Sequence, residues 1–191
     1  LEPNITELKE STQEKLEELN NLEIVEDPQL LIELNSEIGF EPKKMLLSDN
    51  NIFFHTPDSS KTYRYNIQDN NGIILETDKS VDLADNSDQT IFFFSRPNTI
   101  TILKNGDWQE KTLDLLDQES NFTTLFTYAS NLYFWEQNSQ EIVKYSYTQN
   151  NNWKSPQNWI KSKPENQKNI KSIFIDESIW LLNQDNSVIR Y

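Results

Sequence analysis

The segment Thr90-Ile-Phe-Phe-Phe-Ser-Arg-Pro-Asn-Thr-Ile-Thr-Ile-Leu103 sets four bulky apolar residues in a row, breaks at a polar turn, and resumes as a strand in which Ile100 and Ile102 share one face. The same phrase occurs three more times. Asn51-Ile-Phe-Phe-His55 leads to Thr62-Tyr-Arg-Tyr-Asn-Ile67, Asn131-Leu-Tyr-Phe-Trp135 to Glu141-Ile-Val-Lys-Tyr145, and Ser178-Ile-Trp-Leu-Leu182 to Asn186-Ser-Val-Ile-Arg-Tyr191. Anchored on Ile52, Ile91, Leu132 and Ile179, the copies are spaced by 39, 41 and 47 residues, near the roughly 40 to 50 residues of a four-stranded propeller blade.

The first strand of each copy is apolar at every position, so both of its faces must be covered. A blade held between two others provides that environment. The second strand alternates, with Tyr63, Tyr65 and Ile67 on one face and Arg64 on the other, and Lys144 and Arg190 repeat that phase. Inner strands are expected at Met45-Leu46-Leu47, Val81-Asp82-Leu83, Thr124-Leu125-Phe126 and Ile173-Phe174-Ile175, and outer strands at Gly72 to Leu75, Trp108 to Leu113 and Trp153 to Ile160. The fourth copy stops before an outer strand. The predicted fold is therefore all-β: about three and a half four-stranded propeller blades in an incomplete ring, preceded by a short α-helical segment.

That segment, with its linker, occupies residues 1–41, and the propeller residues 42–191. Asn4 and Glu7 are spaced as a capping box, and Ile5, Leu8, Thr12, Leu16 and Leu19 follow at helical intervals. So narrow a stripe suits a two-helix stalk better than a core helix. Asp27-Pro28 predicts a second helix through Leu30, Leu31, Ile32 and Leu34 that ends before Gly39. Glu41-Pro42-Lys43-Lys44 reads as the linker.

At 191 residues the chain suffices for one domain and an appendage. Its net charge of −14 is uneven: residues 1–45 hold 12 acids and 4 bases, 46–121 hold 13 and 6, and 122–191 hold 6 and 7. An acidic body repels phosphate backbones, so no nucleic-acid partner is expected. Cysteine is absent, which removes disulfides and thiolate chemistry. With three glycines in the whole chain, its turns must fall to Asn and Asp, which tolerate positive φ.

Motifs of catalysis are sparse, and no catalytic residue, metal site or cofactor is expected. His55 ends a buried strand and reads as structural. Asp82, Asp85 and Asp88 lack the alternate-residue ligands and glycine of a calcium loop. Trp108, Trp153 and Trp159, in or near outer strands, are the candidate ligand-binding residues, since aromatic faces stack on sugars or anchor a peptide; covering a blade edge is the alternative.

Trp159-Ile160, Ile170-Lys-Ser-Ile-Phe-Ile-Asp176, Ser178-Ile-Trp-Leu-Leu182 and Ser187-Val-Ile-Arg-Tyr191 resemble the propeller of a bacterial membrane-protein family. In that family a phosphatase-like domain of the PPM type precedes a transmembrane segment, a helical stalk and an extracytoplasmic propeller. WD-repeat, NHL and TolB-type propellers share such phrasing. The resemblance implies a placement outside the cytoplasm, with the anchor outside this sequence. It carries no catalytic residue over. Glu177 stands where the family pattern has a turn glycine. The expected function is a non-enzymatic interaction or sensing module with a protein or peptide partner. A carbohydrate-binding propeller and a calcium-dependent propeller hydrolase or lactonase are the alternatives, and self-association through an open propeller edge is also expected.

Overall fold

The structure, a computed structural model, describes residues 5–20, 27–34, 38–149, 152–160 and 170–191. The chain divides into two compact units, Leu1–Leu34 and Asn35–Tyr191.

In the first unit the expected helix is α1, Ile5–Asn20. Ile5, Leu8 and Leu16 on it are exposed. Asn4, the expected cap, lies outside the described residues. The second helix is not formed: residues 27–34 carry no regular structure, and Leu30 and Leu31 are exposed. A helix from Pro28 to before Gly39 would be shorter than the roughly 12 to 15 residues that hold without tertiary packing, and with Leu30 and Leu31 exposed and Ile32 and Leu34 only half-buried, little packing supports one.

The second unit is a series of small antiparallel sheets, arranged as the consecutive blades of a propeller ring. The first runs β1 (Lys44–Ser48), β2 (Asn51–His55), β3 (Ser59–Asn66), β4 (Asn71–Val81) in spatial order. The second is β5 (Leu83–Ser87), β6 (Thr90–Ser95), β7 (Thr99–Lys104), β8 (Asp107–Thr112). The third is β9 (Phe122–Tyr128), β10 (Asn131–Glu136), β11 (Glu141–Tyr145), β12 (Gln157–Asn158). The fourth stops at three strands, β13 (Ile170–Ile175), β14 (Ile179–Asn183), β15 (Val188–Arg190). The outer strand expected from Trp153 to Ile160 is mostly irregular, reduced to a Tyr147–Trp153 bridge and the two residues of β12.

Alternation across each second strand builds the core. Ile91 and Phe93 point to the first sheet and join Leu46 and Phe53. Phe92 and Phe94 point the other way, onto Leu132 and Phe134 of the third sheet. Tyr133 and Trp135 then meet Ile173, Ile175 and Leu181 of the fourth. Both faces of β6 and of β10 are thus covered, which is why those runs contain no polar break. Burial of such a side chain stabilises by about 1.5–3 kcal/mol. Of the expected core positions, Ile52, Phe54, Phe93, Leu132, Phe134 and Leu181 are buried, while Ile179 is half-buried on the last sheet.

Most of the turns use the residues anticipated: Asp49, Asp58, Asn70, Asp88, Asn105 and Asn186 hold positive φ, but in the third sheet Ala129, Ser130 and Gln140 take that role. Glu177 does not, so its turn requires no glycine; Asp176 Oδ1 accepts the Ser178 N–H at 2.6 Å instead.

Between sheets the apolar faces are closed, whereas at both ends of the series they are not. Met45 and Leu47 share a face with Ile52, Phe54, Tyr63 and Ile74 by register, and are 64% and 58% exposed. At the far end, Val188 lies on the face turned away from the third sheet and is 58% exposed.

Candidate functional site

The four inner strands line one cavity of about 500 Å³. Its walls are built from equivalent positions. Lys44, Leu83 and Thr124 stand opposite His55, Phe94 and Trp135 in their ladders, and Ser172 stands opposite Leu182. One residue earlier in each copy come Lys43, Asp82, Thr123 and Lys171, and the Lys43 and Asp82 amides donate to the equivalent His55 and Phe94 carbonyls. Two residues beyond Leu83, Thr124 and Ser172, Asp85, Phe126 and Phe174 line the same cavity.

Side chains tie the inner strands together around this space. Asp85, 9% exposed, accepts from the Thr127 amide at 2.7 Å on Oδ2, with Thr127 Oγ1 2.9 Å from the same oxygen. Lys44 Nζ lies 3.2 Å from Asp85 Oδ1. Asp82 accepts twice from Arg96, from its amide at 2.6 Å and its guanidinium at 2.7 Å. Asn86 Nδ2 donates to the Leu47 carbonyl at 2.8 Å. Asp82 and Asp85 are therefore each engaged by a donor or cation of the chain itself, and Asp88 occupies a positive-φ turn; the three do not form a common ligand set.

His55 borders the cavity but is almost wholly buried, its ring edge-on to Phe93 at 6.4 Å. Burial, and next the nearby Lys44 charge, hold its pKa at about 4, so it is neutral at pH 7.

The candidate tryptophans are not brought together. Trp153 turns toward the second sheet, edge-on to Phe92, and donates Nε1–H to the Ser130 carbonyl at 3.1 Å. Trp159 packs on the opposite side of the third sheet, 4.7 Å from the Tyr133 ring, with Lys144 Nζ 5.2 Å from its own ring. Trp108 stacks on Phe93 at 5.8 Å and is 42% exposed, beside a cavity of about 260 Å³ that also meets Thr77, Lys79, Gln109 and Glu110.

Sequence reasoning missed Lys43, Lys44, Lys171 and Phe174. The signal was available in the repeat itself, because aligning the four inner strands by their ladder partners puts these residues in two rows at one end of the ring.

No family model and no curated protein matches the chain. Solved structures do. The computationally designed Ika4 protein is 14% identical, with a TM-score of 0.58 over 86% of this chain and 98% of that one. Virginiamycin B lyase from Staphylococcus aureus is 18% identical, with a TM-score of 0.57 over 78% of this chain and 50% of the lyase. The N-terminal domain of Nup159 is 12% identical, with a TM-score of 0.50 over 74% and 38%. The chain thus spans half the length of the lyase it resembles. At such identities the likeness establishes the propeller fold and nothing further.

Proposed function

We propose that this protein is a non-enzymatic propeller module that binds a protein or peptide partner at the mouth of the channel between its inner strands. The observation that carries this reading is Phe174. Its ring lies 5.4 Å from Phe126 and stays 54% exposed, inside a cavity bordered by Lys43, Lys44, Asp82 and Lys171. An exposed aromatic with a charged rim has the anatomy of an interface hot spot. The module belongs, on this proposal, to a larger membrane-anchored protein. The exposed stripe of α1 supports that setting, since Ile5, Leu8 and Leu16 suit a second stalk helix. No described helix is long and apolar enough to cross a membrane, so the anchor would be another segment.

A photo-crosslinking residue placed at position 174 of the intact protein in its own cells should give a discrete adduct that the same residue at Asp107, exposed on an outer strand, does not. Equal labelling at both positions, or none at 174, would defeat the proposal.

A second reading has one observation in its favour. Trp108 offers a half-open indole beside hydroxyl, amide and carboxylate groups, the combination that holds a sugar ring. Oligosaccharides should then quench tryptophan fluorescence saturably, and Trp108→Ala should abolish the effect.

A further inference from the structure

We propose that the channel mouth selects acidic partners: a peptide segment in which Asp or Glu side chains flank an apolar one, the carboxylates meeting Lys43, Lys44 and Lys171 and the apolar side chain lying on Phe174. This rests on the reading of the channel as the partner site and adds the chemistry of what enters it.

The cavity has a surplus of donors. Both carboxylates that face it are already held, Asp82 by Arg96 and Asp85 by Thr127 and Lys44. The cations are not consumed to the same degree. Lys171 forms no ion pair among the described residues. Among the described residues Lys43 pairs with Glu41 at 2.7 Å, both side chains more than half exposed, and a surface pair of that kind is weak and exchangeable. Lys44 shares Asp85 with Thr127, which leaves two of its three ammonium hydrogens to serve another acceptor. Thr123, Thr124 and Ser172 add hydroxyls to the same walls. His55, neutral at pH 7, contributes no charge.

The chain's net charge of −14 does not forbid an acidic ligand. At physiological ionic strength, charges farther than about 8 Å are largely screened, so the local balance decides: Lys43, Lys44, Lys171 and Arg96 outnumber Glu41, Asp82 and Asp85 by one. A bare inorganic anion would use those lysines alone. The exposed Phe174 and half-buried Phe126 and Leu83 beside them require an apolar group as well.

The test is a random peptide library displayed on phage and selected on the intact protein, followed by anisotropy titration of the recovered peptides. They should be enriched in Asp and Glu around an apolar residue. Lys43→Gln with Lys171→Gln, both exposed and so harmless to folding, should weaken them about fivefold, as expected for two exposed charge pairs. Lys43→Arg with Lys171→Arg should restore binding, and Lys104→Gln with Lys154→Gln should leave it unchanged. Peptides without acidic enrichment that still lose binding in Phe174→Ala would overturn this inference and leave the channel reading standing. Peptides indifferent to both the lysine pair and Phe174, or no recovery above background, would overturn both. Full displacement by inorganic phosphate at matched ionic strength would also overturn it, reassigning the site to small anions.

Discussion

Acidification should destabilise this protein through one buried side chain. His55 is the sole histidine of the chain, and its ring lies between the first two sheets at 1% exposure. The Lys61 and Val81 carbonyls are near it, yet neither ring nitrogen reaches hydrogen-bond geometry. Burial first, and the Lys44 charge second, lower its pKa from 6.5 to about 4. The unfolded chain therefore takes up a proton at higher pH than the folded one. The stabilising difference is complete above the unfolded pKa and is lost as pH falls from there through the folded value. Linkage puts the loss at about 2 kcal/mol by pH 5 and about 3 kcal/mol by pH 4, or roughly 4–8 °C in Tm at pH 5 for a chain of this size. Protonation of carboxylates relieves self-repulsion in an overlapping range, so the measurement is a difference. Urea unfolding followed by tryptophan fluorescence, at steps from pH 7.5 to 5, should show wild type losing about 2 kcal/mol relative to His55→Leu. Parallel curves for the two proteins, or an imidazole that titrates near 6.5 by NMR, would refute the reasoning.

Two further outcomes test the architecture. Phe134, wholly buried between Phe94, Phe122 and Tyr145 rings at 5.0, 4.6 and 5.6 Å, should cost about 3–5 kcal/mol when changed to Ala, and a urea midpoint unmoved by the substitution would remove it from the core. The exposed end faces around Met45 and Leu47 and around Val188 should associate with one another in trans; light scattering should show concentration-dependent association that Met45→Glu with Leu47→Glu abolishes, and a wild-type monomer at every concentration would count against it.

The blades were legible because one physical demand, coverage on both faces, writes itself into consecutive residues. Phe92-Phe93-Phe94 could be read as a doubly packed strand before any neighbour was known, and the ladders confirm that its residues divide between the first and third sheets. The failures have equally local causes. Asp27-Pro28 is a sound helix start, but a start signal does not supply the buried face that keeps a short helix formed. Trp153 and Trp159 were readable as outer aromatics, yet their neighbours decide their packing: Phe92 for one, Tyr133 and Lys144 for the other. Those neighbours lie on other strands.

The channel was invisible for a different reason, which follows from how a propeller is built. A core position must stay apolar in every copy, so the four copies of a strand resemble one another and the repeat announces itself. The positions that ring the channel are under no such demand, because they face open space. Lys43, Asp82, Thr123 and Lys171 occupy one register but hold two cations, an acid and a hydroxyl. The four members of that row lie about a blade apart in sequence, so no short window along the chain shows them together. Whatever specificity such a site has is encoded in the differences between repeats, while the fold is encoded in their similarity. Searching for the function of such a chain therefore means subtracting the pattern that revealed its architecture, and what survives the subtraction at this end of the ring is a set of lysines around an exposed phenylalanine.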